Sequence, residues 1–235
     1  MQTKPLHAMF TALPPRYDLI NHVVTWCLDK RWRRKAAREC LSTRPRRVLD
    51  LCCGTGDLAI DLARLARDDI EITGLDFSQP MLDIATKKAA LAAEGGAITF
   101  IHGDAADLPF ADGYFDCVGI SFAFRNLTYQ NPMTAKYLAE IWRVLPEGGR
   151  FVAVETSQPK SRLVRWFHHR YLRWFVAPIG RWLSGNKSAY RYLAESTTRF
   201  FTPEELREMI KAAGFGEVFF RPLFLGAVAI MVATK

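Results

Sequence analysis

Hydrophobic positions along the chain alternate between two rhythms: short, nearly unbroken apolar runs, and longer stretches in which apolar residues return every third or fourth position. The first rhythm marks strands buried on both faces, the second amphipathic helices. Val48–Leu51 reads as a strand, Leu58–Leu65 as a helix, Ile70–Leu75 as a strand and Met81–Leu91 as a helix. Ala97–Ile101 and Phe115–Ile120 are the third and fourth strands, and Ala135–Leu145 is a helix. Arg150–Glu155 is a fifth strand, entered through the Gly148-Gly149 turn. Thr202-Pro203-Glu204-Glu205 is a capping box with proline at the first helical position, and Gly214 is the C-cap for that helix. Two short strands, Val218–Arg221 and Val228–Ala233, complete the pattern. Strands separated by helices must lie parallel, each crossover helix covering a face of the sheet. The predicted fold is therefore α/β, a doubly wound, mostly parallel, seven-stranded sheet of the Rossmann-like kind.

Two segments lie outside this alternation. Residues 1–41, broken by Pro14-Pro15 and strongly basic over Lys30–Lys35, are predicted to form a helical lid over the turn after strand one. Lys160–Ala194 carries eight Lys or Arg, eight Phe, Trp or Tyr and no acid, which makes it the main compositional anomaly. Read as a helix ending before Pro178, it places Leu163, Phe167, Tyr171 and Trp174 on one face and Arg162, Arg165, His169 and Arg173 on another. Such a helix can lie in a membrane interface, each basic group near an anionic surface adding about 1 kcal/mol. An ordinary helix packed on the sheet and a stacking platform for single-stranded nucleic acid fit the same pattern. The chain is thus read as one domain, 1–235: the lid, a ligand-binding core over 46–156, a basic aromatic segment over 157–200, and a C-terminal helix with strands over 201–235.

At 235 residues and 49% hydrophobic, the chain can bury a full core in a single domain. No apolar run reaches the roughly 18 residues that a membrane span needs, and Met1–Phe10 lacks the apolar centre of a signal peptide. A cytoplasmic protein is expected, held peripherally at the inner membrane through 160–177. The five cysteines match no zinc spacing and read as reduced structural thiols, with no metal site expected. The net charge of +8 calls for an acidic partner or surface without saying which. Oligomeric state is open, a homodimer included.

The chemistry is concentrated in Val48-Leu49-Asp50-Leu51-Cys52-Cys53-Gly54-Thr55-Gly56-Asp57, with Gly74-Leu75-Asp76 at the end of the next strand. The two glycines let the chain turn at positive φ and bring backbone amides close to a ligand. Gly54-x-Gly56-x-x-Ala59 fits a nicotinamide dinucleotide fingerprint as well, with the later acid on the ribose. Charge weighs against that ligand, because its pyrophosphate needs the helix N-terminus where Asp57 stands. S-adenosylmethionine has no phosphate and carries a sulfonium and an ammonium group, so it is compatible with Asp50 and Asp57 and is the favoured cofactor. Open α/β sheets bind ligands beyond the carboxyl ends of their strands, which selects the remaining candidates. Gly54, Thr55 and Gly56 would hold the methionine portion and Asp76 the ribose hydroxyls. Met81 would flank the adenine, Asp104 and Ala105 would read its edge, and Ser121 followed by Phe122–Asn126 would face the methyl group.

The chain resembles the ubiquinone and menaquinone biosynthesis C-methyltransferases from Phe10 to Lys235. The resemblance rests on Arg16-Tyr17-Asp18-Leu19-Ile20-Asn21, Asp29-Lys30-Arg31-Trp32-Arg33, Leu51–Leu58, Gly74–Ser78, Gly103-Asp104-Ala105 with Leu108-Pro109-Phe110, Arg125-Asn126, and Tyr190-Arg191-Tyr192-Leu193 with Glu195-Ser196. It implies a class I methyltransferase fold, with Thr55, Asp76, Asp104, Ala105 and Ser121 contacting the donor. It also implies methyl transfer to a ring carbon of a prenylated hydroquinone. A ring carbon becomes nucleophilic as the neighbouring hydroxyl loses its proton, so a cation near that oxygen and a base are required. Arg125 is the candidate cation. Asp18 and His22 are candidate bases beside Tyr17 in the lid, although Asp18 also fits a helix N-cap and His22 a packing residue. A soluble phenol or sterol-like acceptor, a nucleic-acid methyltransferase and a nicotinamide oxidoreductase are the competing readings. Against nucleic acid, the segment after strand four lacks the Asn/Asp-Pro-Pro-Tyr/Phe pattern.

Overall fold

The computed structural model of the chain describes residues 17–66, 70–92, 98–176, 178–179 and 187–235, without the side chains of residues 17 and 187–190. Pro14-Pro15, Arg16, the Tyr17 and Tyr190 side chains and Ala97 at the expected start of strand three therefore lie outside the described residues. Two helices come first, α1 (Tyr17–Val24) and α2 (Leu28–Cys40). The alternation then runs β1 (Arg47–Leu51), α3 (Asp57–Leu65), β2 (Glu71–Asp76), α4 (Gln79–Leu91), β3 (Ile98–His102) and β4 (Cys117–Ser121). A short α5 (Phe124–Thr128), α6 (Thr134–Arg143) and β5 (Arg150–Thr156) follow. Next come α7 (Arg162–Tyr171), running into a π turn over Leu172–Val176, and α8 (Lys187–Thr198). After these are α9 (Pro203–Ala212), β6 (Val218–Leu223) and β7 (Val228–Thr234).

The strands form one seven-stranded sheet in the order β3-β2-β1-β4-β5-β7-β6. Pairs from β3 through β5 are parallel, whereas β7 runs antiparallel to both β5 and β6. The tight turn Phe224–Gly226 joins β6 to β7, too short a link for a parallel crossover. Every predicted strand is present, its ends within two residues of the expectation. Phe115 stands outside β4 because its amide bonds the Val144 carbonyl while its ring packs edge-on against Phe110 and Tyr114.

Alternation along the strands sorts the core into two layers. Leu49, Val118, Ala153 and Met231 point to the face covered by Tyr137, Leu138 and Ile141 of α6 and Leu206 and Ile210 of α9. Their neighbours Val48, Cys117, Val152 and Ile230 point to the opposite face, under Trp32, Ala36 and Ala37 of α2 and Leu58 and Leu62 of α3. The capping box of α9 forms as the sequence predicts: the Thr202 hydroxyl accepts from the Glu205 amide, and the Glu205 carboxylate accepts from the Thr202 amide.

A side chain on Gly74 in β2 would lie 2.7 Å from a Phe100 ring carbon of β3 and 3.2 Å from Cys53 Sγ. Gly74→Ala is therefore expected to lose about 2 kcal/mol of stability through overpacking. A shifted urea midpoint at unchanged slope checks this; an unmoved midpoint would mean that the ring yields freely.

Candidate active site

The order of strands reverses between β1 and β4, whose crossovers leave in opposite directions, and a crevice opens beyond their carboxyl ends. Both strands leave the sheet through a left-handed residue that is not glycine: Cys52 at φ 54° after β1 and Phe122 at φ 56° after β4. Backbone held in this costly region tends to gather at functional sites. The crevice deepens into a cavity of about 530 Å³, roofed by α1 and α2 and walled on one side by α7 and α8.

The two glycines after β1 divide the work. Gly54, at φ +53°, has nothing within 4 Å of where a side chain would start and opens onto the cavity. Gly56, at φ +78°, packs so closely that a Cβ would lie 2.9 Å from Ala85 Cβ of α4. Gly56 does not border the cavity, which corrects its expected ligand role to one of packing. The other expected cofactor residues, Asp50, Thr55, Asp76, Met81, Asp104, Ala105 and Ser121, all border it. Asp76 is fixed at the end of β2 by accepting from the Gly54 amide at 2.9 Å and the Ser78 amide at 2.8 Å. Asp104 is exposed, and its carboxylate holds a turn by accepting from the Ala106 amide at 2.9 Å.

Asp50 is buried, with one oxygen accepting from the Ala59 amide and the other without a partner among the described residues. Removal from water pushes its carboxyl up to about 8, against the Ala59 hydrogen bond and the Arg33 charge. A group held above its unfolded value keeps its proton longer in the native state. Stability therefore falls as pH rises from about 4, where the unfolded group ionises, to about 8, and levels off beyond. Asp50→Asn should flatten that decline between pH 5 and 8 in thermal melts; an unchanged pH slope would contradict it.

Beneath the lid runs a chain of charges. Lys88 Nζ of α4 donates to Asp18 of α1 at 2.7 Å, to Asp57 at 2.5 Å and to the Thr55 hydroxyl at 3.1 Å. The Thr55 hydroxyl donates to the other Asp18 oxygen at 2.7 Å. Arg33 of α2 bridges Asp57 and Asp29, each at 3.1 Å, and His22 Nδ1 meets Asp29 at 2.8 Å. Burial alone would raise the Asp57 carboxyl, but Arg33 and Lys88 outweigh it and hold it below its usual range. A carboxylate already paired with two cations thus occupies the N-terminus of α3, where a pyrophosphate would have to sit.

This network assigns the lid candidates. Both oxygens of Asp18 accept hydrogen bonds that clasp α1 to the glycine turn; it lies inside α1, which excludes an N-cap, and it borders the cavity. His22 borders the cavity with Nδ1 committed to Asp29, and its Nε2 has no partner among the described residues. Lys88 was not singled out by sequence, and Asp29 and Arg33 entered only as part of the Asp29–Arg33 motif, with no site role given. Lys88 reads as a solvated helix charge, because its partners lie 70, 33 and 31 residues away.

The rest of the lining has a different character. Ser121 Oγ, Asn126 Oδ1, Arg125 Nε, His168 Nδ1 and Thr197 Oγ1 are buried, lack hydrogen-bond partners among the described residues and belong to residues that border the cavity. Buried polar atoms are seldom left unpaired, so five on residues that border one cavity point to a polar ligand there. Arg125 is held from two sides: its amide donates to Glu155 at 3.0 Å, its guanidinium lies 3.8 Å from that carboxylate, and Nη1 donates to the Ser196 hydroxyl of α8. Burial lowers His168 to about 4, which keeps its imidazole neutral at physiological pH. Neither His168 nor Thr197 carries a sequence motif of its own, and only the approach of α7 and α8 to β5 gathers them with Glu155.

The model of the ubiE/COQ5 methyltransferase family matches residues 1–235. The chain is 43% identical to the demethylmenaquinone methyltransferase of Deinococcus radiodurans over 97% of its own length and 91% of that protein's. It is 42% identical to the protein of that name from Thermus thermophilus, over 97% and 100%. The chain belongs to the ubiE/COQ5 methyltransferase family. It is an S-adenosylmethionine-dependent methyltransferase. Among solved structures, a SAM-dependent methyltransferase from Thermotoga maritima shares the fold with TM-score 0.58 at 22% identity, covering 94% of this chain and 98% of that one. The residues present fit the donor: Gly54 leaves space for close approach, and buried Asp50 carries an oxygen with no partner among the described residues, left for a hydrogen-bonding group of the ligand.

Proposed function

We propose that the protein methylates a ring carbon of a prenylated hydroquinone, demethylmenaquinol or a related quinol, in respiratory quinone biosynthesis. The observation that carries this reading is the group of unpartnered polar atoms of Ser121, Arg125, Asn126, His168 and Thr197, on residues bordering a cavity that is also lined by Trp26, Trp32, Phe122, Phe167 and Tyr171. Such a group suits the two hydroxyls of a quinol head, and the apolar lining suits its ring and tail. The names of the relatives from Deinococcus and Thermus support the same acceptor class.

In this reading Asp76 accepts from the ribose hydroxyls, Met81 flanks the adenine, Asp104 and Ala105 read its edge, and Gly54 and Thr55 border the methionine portion. When bound, the donor supplies an electrophilic methyl group on a sulfonium, a good leaving group without metal assistance. Arg125 stabilises the developing phenolate, although the nearby Glu155 balances part of its charge. Asn126 Oδ1 and neutral His168 Nδ1 accept from the ring hydroxyls. His22 Nε2, Asp18 and solvent are the remaining routes for the proton, and the Tyr17 side chain lies outside the described residues. Holding the ring carbon in line with the methyl group supplies up to roughly 7 to 11 kcal/mol of the barrier, more than any one base is expected to contribute.

The aromatic stripe of α7 favours a lipid acceptor over a soluble phenol. Leu163, Phe167 and Trp174 are not packed on the sheet but face outward, at 66%, 59% and 65% exposed. Arg165 and His169, from the expected basic face, bind Pro159 and Gln158 instead. No helix among the described residues is long and apolar enough to cross a membrane, so contact through 160–177 would be peripheral. Incubation with methyl-labelled donor and, separately, detergent-solubilised demethylmenaquinol, a demethylated benzoquinol, a soluble phenol and RNA tests the acceptor. Label in a prenylated quinol is expected; label in RNA or the phenol alone would overturn the reading.

A further inference from the structure

Exposed apolar side chains are not spread over this molecule. Of the thirteen large ones among the described residues, ten belong to three segments that border the cavity: α1 with the turn after it, α7 with its π turn, and the β6–β7 turn. A cluster of this kind marks an interaction surface, whereas scattered single residues would not. The segments are physically continuous. Trp26 Nε1, in the α1–α2 turn, donates to the Tyr171 hydroxyl of α7, which itself donates to the Val24 carbonyl. The Phe224 ring packs on Trp32 at 5.7 Å, and Gly226 beside it abuts Pro159, whose carbonyl accepts from Arg165 of α7.

The two turns share an unusual backbone. Trp26 and Cys27 lie at φ 55° and 58°, and Phe224 and Leu225 at 44° and 56°, where bulky residues are rare. Trp26 is 78% and Leu225 77% exposed, so packing among the described residues does not account for holding either there. Basic groups accompany the apolar ones: Arg170 stacks over Trp166 at 4.2 Å and Trp174 at 5.5 Å, and the segment 160–194 contains no acid.

We propose that these three segments form a collar that seats the cavity mouth on an anionic lipid bilayer, with Trp26 and the Phe224-Leu225 turn inserted among the acyl chains beside α7. The charge of the collar selects lipid of the opposite sign, and the continuity of the apolar surface from collar to cavity lets a lipid-soluble ligand enter without crossing water. The proposal deepens the quinol reading by naming the route of entry. It can fail alone, since methylation in detergent needs no bilayer.

The test is co-sedimentation of the full chain with vesicles of phosphatidylcholine, with and without phosphatidylglycerol, alongside thermal melts to confirm folding. W26S/L225S is expected to bind mixed vesicles about tenfold more weakly than the parent, in line with the loss of two inserted apolar side chains. R170Q/R173Q should lose binding to anionic vesicles selectively. L91S removes a side chain that is 90% exposed but does not border the cavity, and it should bind as the parent does. Parent protein that ignores both vesicle types, or equal binding by parent and W26S/L225S, would overturn the proposal. A parent dimer that W26S/L225S converts to monomer would overturn it too, by showing that a second copy covers the collar.

Discussion

Asp76→Ala is expected to weaken S-adenosylmethionine binding by about 100-fold or more, because two hydrogen bonds to a charged carboxylate contribute roughly 1.5 to 3 kcal/mol each. The cause is compound. Asp76 is placed to accept from the ribose hydroxyls, and it also accepts from the Gly54 amide, which orients the turn where the methionine portion would lie. Removing the carboxylate therefore takes away both a ligand contact and the fixed shape of the loop. Asp76→Asn retains an acceptor for the Gly54 amide and should lose less. Calorimetric titration with S-adenosylhomocysteine, on protein shown by circular dichroism to be folded, reads the difference. Affinities within about threefold of the parent for both variants would remove Asp76 from the donor site.

Arg125→Ala should lower stability and turnover together, for separable reasons. It leaves Glu155 buried without its cation, a change that costs about 3 to 5 kcal/mol in comparable sites. It also removes the charge expected to stabilise the phenolate, which should slow turnover by about 100-fold or more. The double variant R125Q/E155Q removes both charges and should recover most of the stability while turnover stays low. Donor affinity should be nearly unchanged, in contrast to the aspartate variants. Recovery of turnover together with stability would show that Arg125 acts by holding α8 and β5 in place and not on the reacting ring.

The contrast between these two residues shows what the sequence makes legible. Asp76 could be read because its role is local: it ends a strand next in order to the glycine turn, and strand ends in a parallel sheet collect at one edge. The same logic placed Asp104, Ala105 and Ser121 correctly at the cavity. Positive φ alone does not distinguish a glycine open to the cavity, as Gly54 is, from one packed against Ala85, as Gly56 is. Arg125 was found, but nothing in the sequence joined it to Glu155 and Ser196, 30 and 71 residues away, and they decide how much of its charge is available. Lys88 and Asp18 were likewise joined only by tertiary packing, which makes a candidate base a clasp as well. The faces of α7 were legible as periodicity, whereas their direction depended on which face the sheet covered.

The proposed reaction places the methyl group on a ring carbon beside a hydroxyl of a prenylated quinol. Turnover of demethylmenaquinol with a donor carrying a carbon-13 methyl group, followed by carbon NMR of the extracted lipid, tests it most directly. A single enriched resonance from a methyl on the quinone ring is the predicted result. An enriched methoxy resonance, or no label in the lipid, would contradict the account.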